Sequence, residues 1–319
     1  MTSRYADRPL SFEKLNTIPI DARSGLVQVK HFAKLYEKGS GVNGLLDTLP
    51  SILAANSFRS VVAALREARA KKRAILWGMG GHVIKCGLAD VLLDLMRRGW
   101  ITGYVMNGAA TIHDYEIAIA GHTSEDVEAV LPDGRFGAAE ETGRQMNVAI
   151  TEGVRDGLGM GEALGRALQT EARPEFFEHS IVAGAYKASV PITVHVAVGT
   201  DTPHTHPAAD GAAIGQATHH DFRLLCSIVR GLNDGGVYLN VGSAVVLPEV
   251  FLKAVSVVRN LGFPLANFTT VNMDFLQHYR PNANVVKRPH AQSGGHGYSL
   301  TGHHELMLPL LAAALIESE

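Results

Sequence analysis

Two cysteines, Cys86 and Cys226, are all that the 319 residues contain. They stand far apart, which excludes a disulfide framework and a C-x-x-C metal or redox centre. Charge is sparse too. Asp, Glu, Lys and Arg make up 19% of the chain, and the net charge is −2 with histidine neutral. Bulk electrostatics therefore offer nothing to nucleic acid or to an anionic membrane. No apolar run is long enough to span a bilayer, and the opening MTSRYADRPLSFEKL is polar and mixed rather than basic-then-apolar. By elimination, the expectation is a cytoplasmic protein whose partner is a small molecule. Internal repeats and low-complexity linkers are also missing. The chain thus reads as one domain, with residues 1–42, ending in EKGSGVNG, as an N-terminal arm.

Apolar residues make up 46% of the chain, enough for a sizeable core. Strand-like and helix-period segments alternate along it. RAILW (73–77), ITGYVM (101–106), PITVHVAV (191–198), GGVYLN (235–240) and ANFTTV (266–271) read as strands. Helical stretches fall at 135–152, 160–170, 218–230, 247–260 and 304–316, and another carries Ile84, Leu88, Val91, Leu92 and Leu95 on one face. Strands separated by helices need crossover connections. The predicted fold class is therefore α/β: a doubly wound, Rossmann-like, mostly parallel sheet with helices on both faces.

In such sheets ligands bind at the carboxyl ends of the strands. GMGGH, NGAATIHD, GTDTPHTHPAADG and VGSA each follow a strand, and each carries small residues that let a ligand approach the backbone. The first has strand–turn–helix context but the spacing G-x-G-G rather than G-x-G-x-x-G, so it is either a phosphate-binding turn or a strain-relieving one. Together the loops favour a nucleotide or another large polar ligand.

Five segments, in this order, resemble deoxyhypusine synthase: AILWGMGGHVIKCGLADVLLDLMRRG, YVMNGAATIHDYEIA, AADGAAIG, YLNVGSAVV and LMLPLLAAAL. The resemblance covers roughly residues 55–315. It implies a Rossmann-like domain that binds NAD near subunit interfaces in a homotetramer. It also implies dehydrogenation of an amine followed by imine transfer through an enzyme lysine. The implied cofactor contacts are Gly80, Gly81 and His82; Asn107, Gly108 and Ala109; Asp210; Gly242 and Ser243; and Asn272. The implied lysine is Lys287, in NVVKRPHAQ, without the family's neighbouring tryptophan. The family's paired glutamates become Ile112 and His113, with Asp114 kept, and further acidic positions become Gln216 and His303. Those losses point to a changed and less cationic substrate, to which Arg280, Lys287 and Arg288 are suited.

Histidine is the abundant residue: of 15, nine lie within 195–220 and 290–304. His195, inside an apolar run, reads as a buried core histidine. His204 and His206 point to one side if their segment is extended, and with Asp210 they could ligate zinc or another divalent metal. Alternatively His204, His206 or His113 moves a proton while Lys287 serves as nucleophile. SGGHGYSLTGHHE (293–305) reads as a mobile segment that closes over the site. Three functions stay open: an NAD-dependent transferase or oxidoreductase acting on a small amine or amino-acid-like substrate, a metal-dependent hydrolase or lyase, and a non-catalytic nucleotide-binding protein.

Overall fold

Odd and even residues of a strand face opposite sides of a sheet, and this alternation divides the core in two. In the computed structural model, which describes residues 4–319, Ile75, Trp77 and Met79 face one apolar layer. Leu76, between them, faces the other. Both layers are covered, so the central strand β1 (Ile75–Met79) is buried along its whole length.

From the arm the chain enters α1 (Gly41–Thr48) and α2 (Leu53–Ala70), then β1, α3 (Gly81–Lys85) and α4 (Ala89–Arg97). Next come β2 (Gly103–Asn107), α5 (Gly108–Ala120), α6 (Val127–Val130), α7 (Glu140–Arg155), α8 (Met160–Glu171) and α9 (Ile181–Lys187). The second half runs β3 (Ile192–His195), α10 (Gly211–Val229), β4 (Val237–Val241), α11 (Val246–Asn260) and β5 (Thr269–Asp274). It ends with α12 (Tyr279–Pro281), β6 (His296–Thr301) and α13 (His304–Ile316). The six strands form one sheet in the order β3-β2-β1-β4-β5-β6, and every pairing is parallel. Winding reverses between β1 and β4, the switch point where such sheets open a crevice.

The expected doubly wound α/β fold is therefore present, with two differences in detail. The helix expected through Ile84 and Leu95 is broken at Gly87, whose φ of 71° suits glycine. The segment expected to be a mobile lid is instead the edge strand β6, in register with β5 from Thr269↔His296 to Asp274↔Thr301. Its glycines serve close packing: a Cβ at Gly297 would lie 1.9 Å from the Val286 carbonyl oxygen.

Residues 4–30 are exposed throughout, whereas Met1–Ser3, the start of the expected arm, lie outside the described residues. Among the described residues no helix is long and apolar enough to cross a membrane.

Asp221 ties α10 to the sheet. Its Oδ2 accepts from the backbone N–H of Val194 at 2.8 Å and of Gly161 at 2.9 Å. Its Oδ1 has no hydrogen-bond partner among the described residues, and neither has the Nδ1 of His220, 3.8 Å away. Burial pushes the Asp221 carboxyl up to about 7. A folded-state value raised this way contributes stability that is complete below the unfolded value, about 4, and is lost as pH rises to about 7. Urea unfolding of wild type and Asp221→Asn checks this. The neutral amide should remove that loss, so the variant gains on the wild type between about pH 5 and about pH 8. Asp221→Ala, which orphans two buried N–H groups, should cost about 2–4 kcal/mol.

Candidate functional site

At the switch point the loops after β1 and β4 touch. Gly80 N–H donates to the Val241 carbonyl at 3.0 Å. A Cβ on Gly80 would lie 2.0 Å from the Gly242 carbonyl oxygen, and one on Gly242, at φ 67°, would lie 2.8 Å from His304 Cε1. The glycines here permit backbone-to-backbone packing. Ser243 is buried, and its Oγ accepts from Leu247 N–H at 3.3 Å. Asn272 is fully buried in an amide chain, accepting from Asn240 at 2.8 Å and donating to Gln277 at 2.7 Å. His82 is exposed; its Nδ1 lies 2.9 Å from the Nδ1 of His304, whose Nε2 donates to the Met273 carbonyl at 3.3 Å.

Helix starts at this edge are of two kinds. Asn107, Ser180 and Asp210 cap α5, α9 and α10 with their side chains. By contrast α3 and α11, which follow β1 and β4, have no side-chain cap. Two of their first-turn N–H groups already have partners, Val83 in the Gly80 carbonyl and Leu247 in Ser243 Oγ; the N–H groups of Gly81, His82 and Val246 are the remaining donors beside the switch point.

Beside it, over β2 and α5, lies a cleft of two chambers. The smaller, about 220 Å³, is lined by Lys85, Ala109, His113, Glu116, Glu125 and Asp201, with others. The larger, about 630 Å³, is lined by Glu116, Thr123, Glu125, Glu141, Glu171 and Arg173, with others. Carboxylates outnumber cations in both, so the lining favours a ligand that bears an ammonium group.

His113 projects from the second turn of α5, one turn after Ala109, and the two share the face that meets α3 at Gly81. A Cβ on Gly81 would sit 3.0 Å from His113 Cδ2. The Nδ1 of His113 is 2.7 Å from Thr123 Oγ1, and Thr123 in turn donates to Glu116. Burial, with the Lys85 ammonium second, lowers the imidazole to about 4. It is neutral at physiological pH. Asp201 forms the opposite wall: its carboxylate accepts from Ala197 N–H at 2.9 Å and lies where a Cβ on Gly108 would come within 2.1 Å. Burial raises the Asp201 carboxyl above its ordinary range.

The structure thus brings His113 and Ala109 into the cleft, with Gly81 behind them, and it separates the rest of the expected catalytic set. His204 lies in a 3-10 turn (Thr202–Thr205) and His206 follows it in extended backbone, so the period-two rule does not hold between them. The Nδ1 of His204 is buried without a partner among the described residues, and His204 lines a small cavity with Asp201. His206 bonds Glu140 at 3.0 Å, and Asp210 caps α10. The alternative of a His204–His206–Asp210 metal centre therefore finds no support in this arrangement. Among the described residues no group of three or more His, Cys, Asp or Glu side chains is placed to hold a metal ion.

Lys287 is exposed and makes no hydrogen bond or ion pair among the described residues. Its neighbours Val285 and Val286 pack on Thr270 and Gly297, at the starts of β5 and β6, away from the carboxyl edge. Asp114, kept from the acidic family pattern, is buried and accepts from Ser180 Oγ, Ile181 N–H and Val182 N–H at the start of α9. Sequence reasoning missed Glu116, Thr123, Glu125 and Asp201. Asp201 stood in the quoted loop, but only the fold shows that it meets Gly108.

The sequence matches no protein-family model and no curated protein. Solved structures do match. A candidate LOR/SDH protein from Methanococcus maripaludis S2 superposes with a TM-score of 0.52 at 14% identity, over 84% of this chain and 71% of that one. A candidate deoxyhypusine synthase from Entamoeba histolytica gives 0.51 at 12% identity, over 89% and 96%. AgrE in ternary complex with ornithine and NAD+ gives 0.50 at 16% identity, covering 84% of this chain but only 34% of AgrE. The likeness is one of fold, and the chain has the deoxyhypusine synthase-like fold.

Two glycines of the cofactor-like loops separate fold from function. Gly80→Ala drives a methyl into the Gly242 backbone and should destabilise the protein by about 1–3 kcal/mol. Gly211→Ala, with open space at its Cβ, should be neutral or slightly stabilising. Thermal unfolding of the two variants checks the contrast.

Proposed function

We propose that this protein is an NAD-dependent enzyme that dehydrogenates a small amine held in the cleft over β2 and α5, with His113 as proton acceptor. The observation that carries the reading is a neutral imidazole whose Nε2 has no partner among the described residues, in a carboxylate-lined chamber next to the switch point of a parallel sheet. The fold supports it, since a structural neighbour, AgrE, has been captured with ornithine and NAD+.

The residues at the switch point fit a dinucleotide: small residues, with the first backbone N–H groups of α3 and α11, leave donors for a pyrophosphate. Gly81, His82, Gly242 and Ala244 would hold it, and NAD supplies the hydride acceptor when bound. Of this chain's own residues, Asp201 and Glu125 would hold the ammonium end of the substrate. His113 would take its proton and leave the amine lone pair free for imine formation. Lys85, the one cation lining the smaller chamber, would meet a carboxylate where the substrate is an amino acid. This reading dispenses with Lys287, and it replaces the less cationic substrate expected from sequence with an ammonium-bearing one.

Assembly into a homo-oligomer belongs to the same proposal. It is supported by exposed apolar side chains along the arm, among them Leu10, Phe12, Leu26 and Leu35. Sedimentation of the full chain reads the copy number, and a monomer would remove that part.

NADH formation is measured across monoamines, diamines and diamino acids. At least one should turn over, and His113→Ala should lower kcat by about 100-fold or more. A variant as fast as the wild type would remove His113 from the chemistry.

A further inference from the structure

Glu116 and Thr123 bear no substrate role in the reading above, yet their hydrogen bonds settle which nitrogen of His113 is the base. Thr123 has one hydroxyl proton. Its Oγ1 lies within hydrogen-bond reach of both Glu116 Oε2 and His113 Nδ1, the latter at 2.7 Å. The other Glu116 oxygen accepts from Thr142 Oγ1 at 3.2 Å. An ionised carboxylate only accepts, so the Thr123 proton points to Glu116 and its oxygen must accept from His113. Nδ1 therefore carries the imidazole proton, and Nε2 carries the lone pair.

We infer that Glu116 and Thr123 are positioning residues that hold His113 in the Nδ1–H tautomer, so that Nε2 is the nitrogen that receives the substrate proton. The inference rests on the reading of His113 as proton acceptor, and it extends that reading to two residues that do not touch the substrate's reacting atoms.

Their placement in the cleft supports the division of labour. His113 lines only the smaller chamber, Thr123 and Thr142 only the larger, and Glu116 both. The base thus opens toward one chamber while its orienting groups are anchored from the other. When Nε2 takes a proton from an ammonium group, one N–H bond breaks and one forms. The resulting imidazolium keeps its Nδ1–H···Oγ1 bond, with the Glu116 carboxylate one hydroxyl further on and 4.0 Å from Nδ1. A carboxylate in that position stabilises the protonated ring while remaining ionised itself, as an orienting acid does when it bonds the ring directly. An interposed hydroxyl weakens that charge term but keeps the tautomer fixed. Lys85 opposes protonation, and the Glu116–Thr123 pair acts in the opposite sense from the Nδ1 side.

The test needs no substrate. In full-length protein labelled with 15N in histidine, long-range proton–nitrogen correlation distinguishes Nδ1 from Nε2 of each ring, and the His113 signals are those lost in His113→Gln. The wild type should show a neutral Nδ1–H ring at weakly acidic to weakly alkaline pH. Thr123→Val should shift it to the Nε2–H form that free imidazoles prefer, and Thr123→Ser should restore the wild-type pattern. Where a substrate is in hand, Thr123→Val should lower kcat by about 10- to 100-fold with KM unchanged. An Nε2–H ring in the wild type, or a Thr123→Val pattern identical to wild type, would overturn the inference even if NAD-dependent activity were found. The expected tautomers in a protein that binds no NAD would leave the inference on ring geometry standing and remove the proposed reaction.

Discussion

Parallel pairing is the constraint on which the rest of the structure depends. Six strands that all run one way must each be reached by a crossover, so the chain returns over the faces of the sheet and releases every strand at one edge. That edge gathers Gly80, Gly108, Asp201, Gly242 and His304 from separate parts of the sequence. It also dictates the crowding there. Where β1 and β4 run side by side at the reversal of winding, their loops approach so closely that only glycine fits at position 80. The covered faces are apolar, and every polar group at the edge must find its partner among neighbouring loops or in a ligand.

Carboxylates in this protein do two kinds of work, and their burial and partners tell them apart. Asp114 and Asp221 lie deep, and each collects backbone N–H groups from a neighbouring element. Desolvation raises both, Asp114 to about 6, because those hydrogen bonds only partly offset the loss of water. They fasten helices. Asp201, Glu116 and Glu125 stand instead in the walls of a cleft beside a neutral histidine, where part of their hydrogen-bonding capacity remains open to a ligand.

The fold was largely legible in the sequence because alternating strand and helix periods survive in RAILW, ITGYVM, PITVHVAV and GGVYLN, which contain or overlap β1 to β4. β6 was not, since glycines at 294, 295 and 297 suggested mobility where they allow close contact with Phe268 and Val286. Of the site, His113 was legible as a histidine just after a strand-end loop. Its surroundings were not, because Thr123, which bonds it, and Asp201, across the chamber, arrive on loops whose paths depend on tertiary packing. Lys287 shows the converse limit. A plausible motif position in a line of sequence lies at the far end of a crossover in space, and the alternative metal ligands are held apart, His204 in a 3-10 turn, His206 on Glu140 and Asp210 at the start of α10.

The central claim is that a dinucleotide binds at the switch point between β1 and β4. Calorimetric titration of NAD+ into metal-stripped, full-length protein tests it most directly. Saturable binding with one NAD+ per chain, weakened by bulkier side chains at Ala244 but not at Gly211, is the result predicted. Absence of binding in a protein that unfolds cooperatively and is therefore folded at the start would contradict it, leaving a deoxyhypusine synthase-like fold with its cleft turned to another chemistry.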